Sequence, residues 1–333
     1  MFKSKPKQVV GLEIDSGEVR AVEISGTSSS PRLGTWGRQE LPEGAVEDGI
    51  IYQPEQVAVA LDQLWSTHNL KSQNVVLGIA NQDVLVRFAH FPKVPEDKLD
   101  GLIRYQAQDY LPLQMENFVL DYTITGEEVH DSRPMYEVLL VAARRDMVDV
   151  FMSALSQADL EAWDIDVSSL VLKKIAPRTA FEGAAIMVDV AEGQSNILLL
   201  SGGFPRLARR VPVRLRDAAR HLGVSVEEMV DKQELLEDPP QNYLDWIDAL
   251  IGEIRSSVSY YQAQEEALSL DEIVISGKGA RIPELVTRTE EVLDINVRKA
   301  VPFANVNKFK PGTNEEELDF SIAVSLALRG LEG

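Results

Sequence analysis

Two segments of this chain share one pattern: an apolar strand, a turn carrying acidic and glycine residues, and a returning apolar strand. The first is Val9-Val10-Gly11-Leu12-Glu13-Ile14-Asp15-Ser16-Gly17-Glu18-Val19-Arg20-Ala21-Val22-Glu23-Ile24. Asp-Ser-Gly chemistry suits a tight hairpin turn, and Gly17 can take a positive φ without steric cost. The second runs from Ala185 to Leu200 and carries Asp189-Val190-Ala191-Glu192-Gly193-Gln194 at its tip. Both read as hairpins built to cradle phosphate but altered where phosphate would sit.

A third segment completes an ordered set. Asp271 to Leu285 reads as a strand, a Gly277-Lys278-Gly279 turn and a helix with Pro283 in its first turn, where proline is tolerated. A lone Gly-x-Gly is a weak signal, and three loops in order, each in strand–turn context, are a stronger one.

The set resembles the two phosphate loops and the adenosine motif of the superfamily of actin, the heat-shock chaperone ATPases and the sugar kinases. In that superfamily each phosphate loop begins with Asp and a small residue, so that backbone N–H groups can wrap a phosphate. Within it, the chain resembles the PilM family, the cytoplasmic actin-like proteins of type IV pilus assembly. The resemblance runs nearly end to end. It includes Phe91-Pro92-Lys93-Val94-Pro95, the helix through Leu99, Leu102, Ile103 and Ala107, Tyr110-Leu111-Pro112-Leu113, Asp121-Tyr122, and the Glu253-to-Tyr261 helix segment. It implies an α/β, actin-like fold, ribonuclease H-like and duplicated, with two domains and a small inserted subdomain. Residues 1–180 would form the first domain with the insert at about 83–145, residues 181–305 the second, and residues 306–333 would return to the first.

The resemblance also implies a cleft for ATP with Mg²⁺. The cofactor-binding candidates are Glu13, Asp15, Ser16, Gly17 and Arg20 in the first loop, Asp189 and Gly193 in the second, Glu253 on the later helix, and Gly277 and Gly279. The family's first loop reads Asp-Ile-Gly-Ser-Ser-Ser-Val-Lys. Here Glu13 replaces the Asp, Asp15 the Gly, and Arg20 the Lys, while Ala191 replaces the glycine of the second loop. Two unit charges 4 Å apart interact by roughly 4 kcal/mol at an effective dielectric near 20. Asp15 beside a triphosphate therefore predicts weak or absent nucleotide binding, unless Asp15 serves as a relocated Mg²⁺ ligand. Hydrolysis is expected even less, because Glu13 stands where a shorter Asp organises metal and water, and no catalytic residue is assigned. Lys278 is expected near the nucleoside end. The plainer alternative is a pair of ordinary hairpins with acidic tips, against which the order of the three motifs argues.

For partners, the resemblance implies a groove near the inserted subdomain that takes the cytoplasmic tail of a PilN-like inner-membrane protein, alongside contacts with other pilus platform proteins. Leu85, Phe88 and Phe91 are the contact candidates, and each fits a core position equally well. The protein is then expected in the cytoplasm at the inner face of the cytoplasmic membrane, reaching it only through partners. Two other readings stand beside this one. One is an active ATPase or small-molecule kinase. The other is an FtsA-like division protein, whose family ends in a basic amphipathic membrane helix; Ser325 to Gly333 carries one basic residue, Arg329.

Composition narrows the choice. A net charge of −20 and a pI near 4.7 disfavour binding to a phosphate backbone. At 333 residues the chain suits two domains. It has no cysteine, and His68, His90, His130 and His221 show no ligand spacing, so no metal site is assigned. No apolar run reaches the ~18 residues of a membrane span. Met1 to Lys7 is basic without the apolar core of a signal peptide; it reads as a disordered tail or a weak contact with anionic lipid.

Apolar periodicity predicts helices over Pro54–His68, Glu96–Tyr110, Val148–Ala158, Leu215–Leu222, Asn242–Gln264 and Phe320–Leu328. Asp164-Ile165-Asp166 is expected to lead into a helix ending near Ile175, Phe204-Pro205-Arg206 to form a hairpin turn, and Leu235 to Pro240 to be a disordered connector.

Overall fold

The structure is a computed structural model that describes residues 7–111, 115–130, 132–232, 239–264, 267–307 and 314–332. The expected N-terminal tail up to residue 6, Pro112 and Leu113 of the Tyr110 motif, and residues 235–238 of the expected connector lie outside the described residues. The chain divides into two compact units, residues 1–80 with 153–333, and residues 81–152.

The larger unit contains two five-stranded sheets. The first begins with β1 (Gln8–Ile14), β2 (Glu18–Thr27) and β3 (Ser30–Glu40), an antiparallel meander. A short ribbon, β4 (Val46–Glu47) and β5 (Ile50–Ile51), and helix α1 (Pro54–His68) lead to β6 (Asn74–Ile79), which lies parallel to β1. Helix α1 starts at the proline that cannot donate a backbone hydrogen bond, and it buries Val57, Leu61 and Leu64 at helical spacing.

The smaller unit follows β6. It is a three-stranded antiparallel sheet with a covering helix: β7 (Val84–Pro92), α2 (Glu96–Tyr110), β8 (Phe118–His130) and β9 (Arg133–Arg144), in the order β7-β9-β8. Leu99, Ile103 and Ala107 of α2 recur every four residues and meet Ala89, Phe91, Val138 and Leu140 of the sheet. Each large apolar side chain buried here contributes about 1.5–3 kcal/mol. Both β7 and β8 are outer strands of this sheet.

Helix α3 (Arg145–Gln157) precedes β10 (Glu161–Val167), which pairs in parallel with β6 and completes the first sheet as β10-β6-β1-β2-β3. Asp164 and Asp166 stand in this strand, which runs directly into the short helix α4 (Ser168–Val171) and a 3-10 turn over Leu172–Ile175, so the helical stretch ends at Ile175 as expected. Strands are poor in Asp and Glu. What holds β10 is its ladder to β6 together with Arg329, which pairs with Asp166 at 3.2 Å and Asp164 at 3.5 Å.

The second sheet follows the short helix α5 (Thr179–Glu182) and repeats the same plan. Strands β11 (Ala184–Val190), β12 (Ser195–Ser201) and β13 (Phe204–Val211) form an antiparallel meander. The turn between β12 and β13 is Gly202-Gly203, both at positive φ, so Phe204 opens the strand and does not form the turn. Helices α6 (Leu215–Leu222), α7 (Val226–Asp231) and α8 (Gln241–Gln262) lead to β14 (Leu270–Ser276), parallel to β11. Helix α9 (Pro283–Leu293) then leads to β15 (Val297–Lys299), parallel to β14. The order β13-β12-β11-β14-β15 matches that of the first sheet strand for strand. Parallel neighbours demand crossovers of a dozen or more residues, and helices fill them. Strands β11 and β12 are buried along their whole length, as central strands covered on both faces are.

The last helix, α10 (Ser321–Gly330), packs on β1, β2 and β6 of the first sheet. Gly11 makes this possible, because a Cβ there would collide with the Ala323 carbonyl and the Ala327 amide.

Candidate functional site

The tips of the two equivalent hairpins meet. In β1–β2 the turn closes with the Asp15 N–H donating to the Glu18 carbonyl at 3.0 Å; in β11–β12 the Ala191 N–H donates to the Gln194 carbonyl at 3.2 Å. Between the tips lies the Asp15 carboxylate, 4% exposed. Oδ1 accepts from the backbone N–H of Ser16 at 2.7 Å and of Gly193 at 3.1 Å. Oδ2 accepts from the backbone N–H of Glu192 at 3.1 Å and from Arg20 at 3.3 Å.

The glycines at the tips are fitted to this contact. A Cβ on Gly193 would strike Ser16 Oγ and Asp15 Oδ1, and one on Gly17 would strike the Glu192 carboxylate. Gly17 does not use the freedom a glycine has to enter the left-handed region. What excludes a side chain there is the neighbouring loop.

Arg20, 1% exposed, is the central cation. Its guanidinium reaches Glu13 Oε1 at 2.9 Å and Oε2 at 3.1 Å, Glu18 at 2.6 Å and Asp15 at 3.3 Å. A planar fork held by several carboxylates is the geometry for which arginine is suited. The Gly-x-Gly turn supplies a second cation. Gly277, at φ 76°, lies against Val190 and Asp189, and the following Lys278 is also 1% exposed. Lys278 Nζ stands 3.1 Å from Glu18 and 3.7 Å from Glu192, and it also pairs with Glu227. Lys278 thus lies between the two hairpins, bridging Glu18 of one and Glu192 of the other. Asp319 adds a third group, pairing with Arg38 at 2.9 Å and Arg281 at 3.3 Å.

The named carboxylates outnumber these cations, and their proton affinities show it. Burial pushes Glu192 up to about 7, with the Asp15 charge adding to the rise and Lys278 opposing it. Burial also raises Glu13 and Asp189, despite Arg20 beside Glu13 and the Ser276 hydroxyl donating to Asp189 at 2.8 Å. Glu18 goes the other way: burial works against its charge, but Arg20, Lys278 and Arg38 together hold its carboxyl below the ordinary value.

A polar clasp lies beside the tips. The Asp48 carboxylate takes Arg214 at 2.7 Å and Arg216 at 2.8 Å, and the Asp48 N–H donates to Ser16 Oγ at 3.3 Å.

Of the residues named from the sequence, Glu13, Asp15, Ser16, Gly17, Arg20, Asp189, Gly193, Gly277 and Gly279 come together, with Gly279 packed on Val190. Glu253 stands on α8 and pairs with Arg209 of β13 at 2.8 Å. Sequence reading passed over Glu18, Arg38, Arg281 and Asp319. The alternation of β2, which puts Glu18 and Arg20 on one face, is a signal that could have found the first of them. In the smaller unit Phe91 is fully buried beneath α2 with its ring tilted against that of Tyr110, centroids 5.4 Å apart, Leu85 packs against the same core, and Phe88 is half-buried on the opposite face of β7.

The donors and the space of the two tips are engaged within the chain itself. The backbone N–H groups of the second tip are taken, and the space above both glycines is filled by side chains. Among the described residues no group of three or more His, Asp or Glu is placed to hold a metal ion. Among them, too, no helix is long and apolar enough to cross a membrane.

A family model described as type IV pilus assembly protein PilM matches residues 11–209. The solved structure of a PilM–PilN type IV pilus biogenesis complex is similar with a TM-score of 0.85 at 22% identity, covering 99% of this chain and 100% of that one. The ethanolamine utilization protein EutJ from Carboxydothermus hydrogenoformans has a TM-score of 0.57 at 10% identity, covering 97% of this chain and 90% of that chain. MreB5 of Spiroplasma citri bound to AMPPNP has a TM-score of 0.53 at 8% identity, with coverage of 96% and 94%. The fold is actin-like, as expected from the three ordered loops.

Proposed function

The chain belongs to the type IV pilus assembly protein PilM family, and from that premise we propose that it is a cytoplasmic adaptor of the pilus inner-membrane platform. It binds the cytoplasmic tail of a PilN-like protein, and its actin-type cleft has ceased to serve as a nucleotide site. The observation that carries the second half is the Asp15 carboxylate seated on the Glu192 and Gly193 amides. Spiroplasma citri MreB5 is bound to AMPPNP and to ADP in its own structures, so the fold itself accommodates nucleotide. The difference here is local, in side chains that pair with one another and with the opposite loop inside the cleft.

The family match and the complex formed by the similar PilM support the partner. The smaller unit offers a suitable receptor: among the described residues its outer strand β7 has a strand neighbour, β9, on one side alone, and along the other side an extended peptide could add main-chain hydrogen bonds. Phe88, half-buried on the face of β7 away from α2, is the side chain we assign to that contact. Holding this tail would keep the protein at the cytoplasmic face of the membrane.

Calorimetric titration with a synthetic tail peptide tests the partner. Binding that weakens about tenfold in Phe88→Ala, roughly the 1–2 kcal/mol of a truncated aromatic contact, is expected. An absence of binding by the wild type overturns the adaptor reading. A parallel titration with labelled ATP and Mg²⁺ tests the cleft, and tight binding by the unmodified chain overturns that half and makes Asp15 a metal ligand instead.

A further inference from the structure

Each oxygen of the Asp15 carboxylate accepts two hydrogen bonds, Oδ1 from the Ser16 and Gly193 amides and Oδ2 from the Glu192 amide and Arg20. A carboxylate has about four acceptor positions, so its capacity is filled. Two of the donors are successive backbone N–H groups at a tight turn, the arrangement that forms a concave anion site. They belong to one sheet, and the anion belongs to the other.

We propose that Asp15 is a tethered anion: it occupies from within the chain the oxyanion site made by the tip of the β11–β12 hairpin, and so holds the two hairpins together without a ligand. This rests on the reading of the cleft as one that no longer serves nucleotide, and it explains why the cleft is closed and not merely repulsive. Three further features fit it. The tips are shaped to each other, since neither Gly17 nor Gly193 has room for a Cβ. Lys278 spans Glu18 of one hairpin and Glu192 of the other. Asp48 repeats the device at the rim, its carboxylate held by Arg214 and Arg216. Once the Asp15 carboxylate is removed, the donors left behind, three amides and a guanidinium, suit a small oxyanion such as phosphate or acetate.

The test is thermal unfolding of the full chain in chloride, phosphate and acetate at matched ionic strength, for the wild type and Asp15→Ala. The wild type gives the general stabilising effect of phosphate and acetate, which is subtracted from that seen in the variant. Asp15→Ala is expected to lose about 5 °C or more in chloride, the scale of a lost buried charge contact. Phosphate and acetate should restore at least half of that loss. After that subtraction, equal melting of Asp15→Ala in the three salts overturns the proposal. Should the variant fail to fold, hydrogen exchange of the wild type decides: Glu192 and Gly193 amides as slow as those of the flanking strands support a tethered anion, and exchange at the rate of an open turn overturns it. These readouts involve neither the tail peptide nor ATP, so a failure here is distinct from a failure of the adaptor or cleft reading.

Discussion

The hairpins β1–β2 and β11–β12 hold the same place in sheets of the same strand order, and apart from the shared glycine at Gly17 and Gly193 their tips differ. Glu13 pairs across its hairpin with Arg20, where the other has Asp189 and Asn196. Asp15, Ser16, Gly17 and Glu18 at one tip answer to Ala191, Glu192, Gly193 and Gln194 at the other. The first hairpin carries its chemistry in charged side chains, and the second offers mainly its backbone. One frame, used twice, has become a key and a lock. Their complementarity could not exist if the two copies had kept the same residues.

The comparison breaks most visibly at Arg20. Arg20→Met strands Glu13, Glu18 and Asp15 in a buried site without their main counter-charge, a change that costs about 3–5 kcal/mol. Asn196→Ala, at the matching place in the other hairpin, removes no charge and is expected to cost roughly 1 kcal/mol. Urea unfolding of the two variants measures the difference, and equal losses would show that the hairpins are not used differently.

The next effect is on pH dependence. Glu192 has its carboxyl raised to about 7 from an ordinary 4.5. A group raised in the folded state contributes stability that is present at low pH and lost as the pH rises through the folded value. The wild type should therefore gain stability on going from pH 8 to pH 5.5. This group contributes roughly 2 kcal/mol of that gain, because each tenfold difference in proton affinity between folded and unfolded chains is worth about 1.4 kcal/mol. Asp15, Lys278, Glu227 and Glu18 face Glu192 and set that value. Glu18, held low, acts in the opposite sense and only in the acid range. Melting curves of wild type and Glu192→Gln across this window should diverge, the variant being the flatter.

Steric changes come third. Gly193→Ala presses a methyl group against Ser16 and Asp15, whose positions are fixed by four hydrogen bonds, and should cost about 1–3 kcal/mol. Gly17→Ala meets the far end of the flexible Glu192 side chain, which can shift more readily than the groups around Gly193, and should cost less. The smallest effect is expected at Ala191→Gly, below about 1 kcal/mol from added backbone freedom. It restores the glycine of the phosphate loops, yet it should bring no measurable ATP affinity in a filter-binding titration, because Asp15 still holds the adjacent amides.

Much of this was legible in the sequence where local chemistry decides. Pro54 and the recurring apolar residues after it mark α1, and the same spacing marks α2 and α6, each over the residues expected. The three loops announced an actin-like fold because each needs only its own strand and turn. What stayed hidden depends on distant chain segments. Strand β10 carries Glu161, Asp164 and Asp166 and is a strand only because β6 lies beside it. The acidic substitutions at the tips were readable as repulsive to phosphate. That Asp15 would instead find donors in the second loop required the two loops in space. Lys278 was visible as a cation, but its seat between Glu18 and Glu192 was not, and Asp319 meets Arg38 from the far end of the sequence.

The close seating of α10 on Gly11 bears on the order in which the protein matures during synthesis. All five strands of the second sheet lie between Ala184 and Lys299 in one continuous stretch. The first sheet is finished only when the final helix covers the first strand. Long-range contacts of this kind form late, because loop closure must precede them. During synthesis, then, β1 to β3 are made before the whole second sheet, and the helix that covers them is made after it. Until Ala323 and Ala327 arrive, the apolar face of β1 stays uncovered and is the surface on which a chaperone or an errant neighbour would act.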